Sequence, residues 1–463
     1  MDRISLIDDT FLRLETRRQP FHIGMLMLFD PGEKAPQDFV MKLSEKLRKS
    51  TEMQEPFNRH LVQKNGLHYW EEDTDFDLEH HFAHIALPKP GRIRELLATV
   101  SRIHGGHLDR AYPLWRIYLI EGIEDGRFAV YMKIHHSLVD GIAGIKMLIS
   151  SMSSNKREST KLPPFWENGI SNSKAQHLPV PTPTAKGLSA ISKLSKNGLR
   201  SIPPVYREIR SNIADIWKGN PDFVFGGQAP RCSLNQSVSA TRRFAAQSYS
   251  TPRMRAVGKA FDASINDVAL AMCGAALRQY LADLDDLPLQ PLVAAVPVSV
   301  RREDSTSAGN EVAFTLCHLA THLKDPAERI VAIKACMDYN KKHIRNLSPT
   351  QTLTTAAVKL IPGAINAIFN VNPNKTLGNL VISHVPGPKE DLYWQGAKLS
   401  GLYPLSLLTD GAALNITLIS RHDTVDFGLI ACRKSVPHVQ RILKYLEDGL
   451  VELEEAVKNR NAP

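Results

Sequence analysis

The chain has 463 residues and a net charge of +9, and 43% of its residues are hydrophobic and 23% charged. This length exceeds the roughly 250–300 residues at which a single core stops growing, so the sequence predicts two domains. Five scattered cysteines without a CxxC pair argue against a disulfide scaffold or a zinc ribbon and indicate a reducing compartment. With no secretory leader and no run of 18 uncharged apolar residues, we expect a cytosolic protein without a transmembrane helix.

The first 150 residues have the periodicity of an α/β lobe. Apolar runs and alternation predict strands at 21–29, 114–123 and 127–136. Three- and four-residue spacing predicts helices at 36–50, 93–108 and 141–152. We therefore take 1–150 as an N-terminal lobe.

The segment 151–220 is predicted to be a basic linker between two lobes. Its first part is rich in Ser, Pro, Lys and Asn, and its second part, 188–217, has the pattern of amphipathic helices. It holds eleven Lys or Arg against four Asp or Glu. Such a patch could bind nucleic acid, an anionic lipid surface or a phosphorylated substrate, or it could be a solvated linker. Its helices could cover a core or rest on a membrane.

The remainder, 221–463, reads as a second α/β lobe. The pattern predicts helices at 251–261, 265–281 and 436–458, a strand at 291–300, and a hairpin formed by 411–420 and 425–433.

The stretch "YMKIHHSLVDG" at 131–141 carries the chemistry. Strand alternation places His136 on the same face as the apolar residues before it, and it places His135 on the opposite face. A histidine on an apolar face where a strand runs out is partly desolvated, which suits a general base. Asp140 could cap the helix that follows, and Gly141 is expected to supply a tight turn or a close backbone approach.

Other kinds of site fit less well. Adjacent strand histidines diverge, and "HHFAH" at 80–84 has the spacing of a zinc pair without a third ligand nearby. The chain contains no GxSxG elbow, no GxGxxG after a strand and no P-loop. A histidine base without a protein nucleophile indicates direct transfer of an acyl group to a hydroxyl or amine.

"HHSLVDG" resembles the HHxxxDG motif of the CoA-dependent acyltransferase superfamily. More narrowly, the chain resembles the bacterial bifunctional wax ester synthase/diacylglycerol acyltransferases in the order of several stretches: "YPLWRIYLIEG", "SINDVALAMCGAALR", "VPVSVR", "ISHVPGP" and "LNITLIS". The resemblance implies an α/β fold with two chloramphenicol-acetyltransferase-like lobes and an active site in a channel between them.

The resemblance also implies roles for the motif residues. His136 would be the general base, His135 would support the loop, and Asp140 would be architectural. Its ionic partner is open, and Arg301 is one choice. Gly141 would belong to the catalytic loop.

Three further positions follow from the resemblance. Asn266 could donate a hydrogen bond to the thioester oxyanion or to substrate, or it could be a helix N-cap. Pro113, Leu114 and Trp115 would line the channel, or Trp115 could be a core residue. His384 stands where the family usually has asparagine, so we expect the contact made by that asparagine to change.

The implied reaction transfers a long-chain acyl group from acyl-CoA to a fatty alcohol or a diacylglycerol, with no cofactor, metal or nucleic acid involved. A condensation-type transferase with a carrier-bound donor is the rival enzyme, and a non-catalytic lipid-surface protein is the rival of another class. We expect a cytoplasmic protein at the inner face of the membrane or at lipid inclusions. Acceptor preference, chain length and oligomeric state stay open.

Overall fold

The computed structural model describes residues 1–139, 141–168, 219–299, 312–345 and 375–460. The helices are α1 Leu6–Leu14, α2 Phe39–Arg48, α3 Leu78–His81, α4 Ile93–Gly105, α5 Gly141–Ser150, α6 Lys156–Ser159, α7 Phe165–Asn168, α8 Thr251–Phe261, α9 Ile265–Ala282, α10 Pro326–Arg345 and α11 Gln440–Arg460. The strands are β1 Asp2–Arg3, β2 His22–Asp30, β3 Arg59–Lys64, β4 Leu67–Glu72, β5 Phe82–Ala86, β6 Trp115–Glu121, β7 Phe128–His135, β8 Ala229–Pro230, β9 Arg242–Ser250, β10 Val293–Ser299, β11 Val312–His318, β12 Lys375–Thr376, β13 Leu380–Pro386, β14 Tyr393–Trp394, β15 Ala397–Leu405, β16 Leu414–Ser420 and β17 Thr424–Cys432.

The chain divides into two compact units, and neither is continuous in sequence. The first contains 1–173, 237–252 and 384–440, and the second contains 174–236, 253–383 and 441–463. The predicted lobes, 1–150 and 221–463, were each a single segment. The difference arises because segments from the second half of the chain, including β9 and β14–β17, supply strands to the first unit.

The first unit is built on a six-stranded sheet with the order β14-β15-β2-β7-β6-β5. All of its strand pairs are antiparallel except β5 with β6. Strand β7 lies inside this sheet, and all eight of its residues are buried. A strand hydrogen-bonded on both edges and covered on both faces is a rigid base for residues at its end.

The main core of this unit packs on one face of the sheet and includes residues of the predicted linker. Phe165 and Trp166 are 2% and 0% exposed in this core, and Trp166 donates its indole N–H to the carbonyl of Ser50 over 3.1 Å. A linker was therefore the wrong prediction for the first residues after 150, since two adjacent large aromatic side chains are stabilised by burial. Residues 169–218, with most of the basic charge and the predicted amphipathic helices, lie outside the described residues.

The predicted C-terminal hairpin is confirmed as β16 and β17, and β17 also pairs with β9. A buried carboxylate ties these strands to their neighbours: Asp426 has no exposed surface and accepts from Ser248 Oγ at 2.6 Å and from the backbone N–H of Leu402 at 2.8 Å. Arg421 completes the ion pair. Such a fully partnered charge is costly to disturb.

In the second unit β10 pairs antiparallel with β11 and parallel with β13. Helix α9 is apolar on nearly every side and almost completely buried, as expected for a helix with no polar face. The alternation of strands and helices confirms the predicted α/β class. Within the described part of the chain no single helix is long and apolar enough to cross a membrane, and only the pair α8–α9, bent by 98°, has that length and composition when its two helices are taken together.

Candidate active site

Strand β7 positions the histidine pair. Its alternate residues up to Ile134 belong to the main core: Phe128, Val130, Met132 and Ile134. His135 is the last residue of the strand and is 1% exposed. His136 follows the strand and is half-buried. The structure therefore places His136 at the partly exposed strand end that the periodicity predicted.

Helix α1 covers His136. The backbone N–H of His136 donates to the carbonyl of Phe21 over 2.9 Å, just before strand β2. The ring centroid of Phe11 lies 4.9 Å from that of His136, with an angle of 48° between the rings. The imidazole thus has an aromatic ring on one side while its backbone is hydrogen-bonded to the neighbouring segment.

His135 is hydrogen-bonded at Nδ1 and has a carboxylate near Nε2. The backbone N–H of Ser137 donates to Nδ1 over 3.2 Å, and the Ser137 hydroxyl lies 2.6 Å from the same nitrogen. An Nδ1 that accepts a hydrogen bond leaves the proton of the neutral ring on Nε2. Nε2 lies 3.7 Å from Oε1 of Glu15. These contacts support the predicted role of His135 in holding the loop.

Glu15 is a site residue that sequence reasoning missed. Its carboxylate accepts from Arg110 Nη2 at 2.9 Å and from the backbone N–H of Phe21 at 3.1 Å. Burial would raise the pKa of Glu15, but His135, Arg110 and the Phe21 N–H outweigh burial and lower it to about 2. The group is therefore a carboxylate at neutral pH, placed behind the histidine pair.

A buried polar layer lies on the His135 side of the sheet. Lys133 donates to the carbonyls of Ile103, over 3.1 Å, and of Gly106, at the C-terminal end of α4, where a cation is favourable. Burial, with Arg116, lowers the pKa of Lys133 to about 7. This side chain therefore joins the strand carrying the histidines to a neighbouring helix.

Two histidines belong to the same layer. The Nε2 of His22 lies 2.6 Å from the carbonyl of His104, and Nδ1 of His104 lies 2.7 Å from the hydroxyl of Tyr131. Burial, together with Lys133, lowers the pKa of His104 to about 3 and that of His22 well below its usual value. Both rings are therefore neutral at physiological pH.

The structure describes only part of the end of the motif. Asp140 and Arg301 lie outside the described residues, so their pairing stays a prediction. Gly141 begins helix α5 without a positive φ, and a Cβ built on it would meet no described atom within 4 Å. The tight turn or close backbone approach expected at Gly141 stays a prediction, because the preceding Asp140 lies outside the described residues.

The Pro113–Trp115 stretch is hydrogen-bonded to the end of strand β7. The carbonyl of Leu114 accepts the backbone N–H of His135 over 2.9 Å. Trp115 has no exposed surface and donates its indole N–H to the carbonyl of Phe57 over 2.9 Å. Pro113 is buried as well. These contacts agree with the alternative prediction that Trp115 is a core residue. They do not support a role for Trp115 in lining the channel.

Asn266 lies at the start of α9 in the second unit, whereas the histidine pair lies in the first. The N-cap of this helix is Ser264, whose hydroxyl accepts from the backbone N–H of Asp267 over 3.3 Å. Asp267 accepts in return from the Ser264 backbone over 2.9 Å. The N-cap alternative for Asn266 was therefore wrong, since a capping box already satisfies this helix end. Asn266 itself is half-buried.

His384 replaces the expected asparagine contact with one of its own. Its Nε2 lies 2.6 Å from the hydroxyl of Ser420, and burial lowers the pKa of His384 to about 4. The following turn is tight: Gly387 donates its N–H to the carbonyl of Ser420 over 2.9 Å, and a Cβ on Gly387 would lie 2.5 Å from that oxygen. Glycine is therefore required at this place.

The histidines of "HHFAH" have separate partners. His80 stacks on Tyr112 with ring centroids 3.6 Å apart, and His81 lies between aromatic rings with Nδ1 2.8 Å from the carbonyl of Trp115. Nε2 of His84 lies 3.4 Å from Glu121. Within the described residues no three potential ligands gather into a group that could hold a metal ion.

Comparison with known proteins identifies the family. The model of the wax ester synthase/diacylglycerol acyltransferase catalytic domain matches residues 4–269, and the model of the C-terminal domain matches 308–454. The O-acyltransferase WSD of Acinetobacter baylyi is 44% identical over 98% of this chain and 99% of that protein. The structure of the wax ester synthase/diacylglycerol acyltransferase from Marinobacter aquaeolei VT8 matches with a TM-score of 0.80 and 41% identity, over 99% of this chain and all of that one.

A more distant likeness concerns the fold alone. The first condensation domain of the calcium-dependent antibiotic synthetase matches with a TM-score of 0.56 and 15% identity, over 100% of this chain and 97% of that one. The catalytic-domain model covers the histidine pair at the end of buried strand β7, so the class of protein is an acyltransferase. Within that class, the chain belongs to the wax ester synthase/diacylglycerol acyltransferase family and is an enzyme.

Proposed function

We propose that this enzyme transfers a long-chain acyl group from acyl-CoA to the hydroxyl of a fatty alcohol or a diacylglycerol, with His136 as general base. The observation that carries the proposal is the half-buried imidazole of His136 at the end of a strand whose every residue is buried. The name of the matched Marinobacter protein supports this substrate class, and that of the Acinetobacter protein supports acyl transfer to oxygen.

The proposed reaction is a direct displacement. The neutral imidazole of His136 takes the proton of the acceptor hydroxyl as its oxygen attacks the thioester carbonyl carbon. The tetrahedral oxyanion then collapses, the carbon–sulfur bond breaks, and the CoA thiolate receives the proton from the imidazolium. The products are an ester and free CoA. In this scheme acyl-CoA is a substrate and no cofactor is needed.

The other site residues are proposed to position the base or to stabilise the oxyanion. His135 supports the loop through the contact of its Nδ1 with Ser137, and the carboxylate of Glu15 lies 3.7 Å from its Nε2. Asn266, whose side chain is not used as a cap, is the proposed donor to the oxyanion. Asp140 keeps its proposed architectural role in the loop.

We also propose that the protein is cytoplasmic and binds peripherally to the inner face of the membrane or to lipid inclusions, and that nucleic acid is not a partner. Both acceptors partition into lipid, so an enzyme at a lipid surface meets a higher concentration of them. The excess of positive charge, +9 in all, suits anionic lipid.

A competition assay tests the function. Purified protein receives palmitoyl-CoA with equal amounts of hexadecanol and dioleoylglycerol, and both the esters and the released thiol are quantified. We expect ester formation matched by CoA release, and the ratio of the two esters gives the acceptor preference. Ester formation only from a carrier-protein thioester, with none from free acyl-CoA, would support the condensation-type rival instead.

A further inference from the structure

Two leucines are exposed on segments that are hydrogen-bonded to each other near the amino terminus. Leu14, at the end of helix α1, is 56% exposed, and Leu67, at the start of β4, is 37% exposed. The two segments that carry them are tied together, because Arg13 donates from Nη2 to the carbonyl of Gly66 over 2.7 Å. Exposed apolar side chains that accompany cationic residues are typical of a surface that meets a partner.

Two arginines project from a fixed turn just after this helix. Thr16 and Gln19 exchange backbone hydrogen bonds of 3.2 and 2.9 Å, which puts Arg17 and Arg18 at the tip. The carbonyl of Arg18 accepts from the buried guanidinium of Arg242 over 2.6 Å. Both tip residues are exposed. Because Arg242 binds the backbone of the turn on its buried side, the side chains of Arg17 and Arg18 extend into solvent.

The positive charge at this tip is not neutralised within the described part of the chain. Arg17 and Arg18 have no acidic partner there, whereas the charge of Arg13 is matched by Asp9 at 2.7 Å. The neighbouring carboxylate, Glu15, is 6% exposed and committed to Arg110. The residues Arg13, Leu14, Arg17, Arg18 and Leu67 are here named the N-terminal surface. They combine exposed apolar groups with cations, of which Arg17 and Arg18 have no acidic partner among the described residues.

The other side of the same short helix touches the histidine pair. Phe11 packs on His136, and Glu15 directly follows the helix with its carboxylate beside His135. Leu12, between them, is 1% exposed. One helix of nine residues thus has its buried side at the catalytic histidines and its exposed side at the N-terminal surface.

We propose that the N-terminal surface docks the enzyme on anionic lipid, a bilayer or an inclusion, next to the site where the lipid acceptor reacts. This inference rests on the proposed function for its meaning, although docking can be measured without turnover. Lipid fits better than nucleic acid because leucines alternate with the cations, and leucine side chains gain from the acyl boundary while arginines meet the phosphates of head groups.

The first test measures binding to vesicles by co-sedimentation at low and high salt. The vesicles are pure phosphatidylcholine or contain 30% phosphatidylglycerol. We expect R17A/R18A to weaken binding to the anionic vesicles by about 30-fold at low salt, since each arginine near such a surface contributes about fivefold. L14S/L67S should weaken binding to both kinds of vesicle by about tenfold or more.

Matched controls come from exposed residues elsewhere. R92A/R94A removes the same charge from a helix start where the arginines are 52% and 80% exposed, and L289S removes a leucine that is 96% exposed. Both controls should bind vesicles like the unchanged protein. Equal losses in the controls, or no loss in the N-terminal surface variants, would overturn the proposal, because binding would then depend on overall charge or on another surface.

The second test separates docking from catalysis and from CoA binding. With diacylglycerol presented in anionic vesicles, R17A/R18A and L14S/L67S should lose turnover in proportion to binding, and with a short water-soluble alcohol they should keep it. A raised KM for acyl-CoA with normal vesicle binding would make the arginines a site for the CoA phosphates and would refute lipid docking. Vesicle binding by a protein that forms no ester with any acceptor would refute the proposed function and leave the docking proposal standing.

Discussion

Nε2 of His135 lies 3.7 Å from Oε1 of Glu15, and the two side chains are 1% and 6% exposed. A carboxylate this buried is stable only with partners, and Arg110 and the Phe21 backbone supply the others. The same Phe21 offers its carbonyl to the backbone N–H of His136. Glu15 therefore links the entry to strand β2 with the strand end that carries the proposed base.

Glu15→Gln should reduce both stability and turnover. We expect a loss of about 2–3 kcal/mol in the free energy of unfolding at pH 7, since Arg110 and His135 lose their shared anion. As a positioning residue acting through His135, Glu15 should affect kcat by about 10- to 100-fold and KM little. Glu15→Asp should restore part of the activity.

The pH dependence of unfolding checks this role. The pKa of Glu15 is lowered from its usual 4.5 to about 2 in the folded chain. A lowered carboxyl pKa stabilises the fold above pH 4.5, and this stabilisation is lost as the pH falls toward 2. The difference between the unchanged protein and Glu15→Gln in urea unfolding should therefore shrink over that range. A difference that stays constant with pH would contradict an ionised Glu15.

His136→Ala should abolish ester formation in a folded protein. Loss of a general base typically costs about 10²–10⁴-fold in rate, and no second base with this placement is visible among the described residues. His136 is half-buried, so the melting temperature should change little. Retained acyl-CoA binding, measured by calorimetry, would show that the loss lies in the chemical step. Near-normal turnover would refute the assignment of His136 as base.

Strand β7 shows why part of the site could be predicted from sequence. Alternation along Phe128–Ile134 fixes which face is apolar, and the structure confirms that face. The C-terminal hairpin could be predicted for the same reason. Period and turn residues are local properties, so one chain is enough to recognise them.

The contacts within the site could not be predicted from local sequence patterns. Glu15 follows an amphipathic helix like many surface glutamates, and only the pairing of β2 with β7, in which His22 is opposite His135, brings the chain entry beside the motif. Trp115 likewise reads as a channel or core residue from sequence, and its burial beneath the sheet decides for the core. Discontinuous units arise from long-range strand pairing, which composition does not encode.

Ser264→Ala should lower stability, whereas Asn266→Ala should lower kcat. Ser264 caps helix α9 and Asn266 does not, so Ser264→Ala should lose about 1 kcal/mol of stability with little change in kcat. Asn266→Ala should keep its stability and lose about 10²–10³-fold in kcat if it donates to the oxyanion. Urea unfolding and steady-state kinetics on both variants decide. A stability loss in Asn266→Ala without a kinetic one would leave it a structural residue.

Lys133 should make the fold more stable as the pH rises above neutral. Burial, with Arg116, lowers its pKa from 10.5 to about 7, against a smaller opposite effect of Glu15. Between these two values the unfolded chain binds a proton that the folded chain does not, so stability increases with pH by up to about 1.4 kcal/mol per unit. Lys133→Gln removes this slope, while Lys34→Gln, at an exposed position, should keep it. Urea unfolding at pH 7, 8 and 9 should therefore show the unchanged protein gaining about 2 kcal/mol relative to Lys133→Gln. A constant or reversed difference would contradict a lowered pKa of Lys133 in the folded chain.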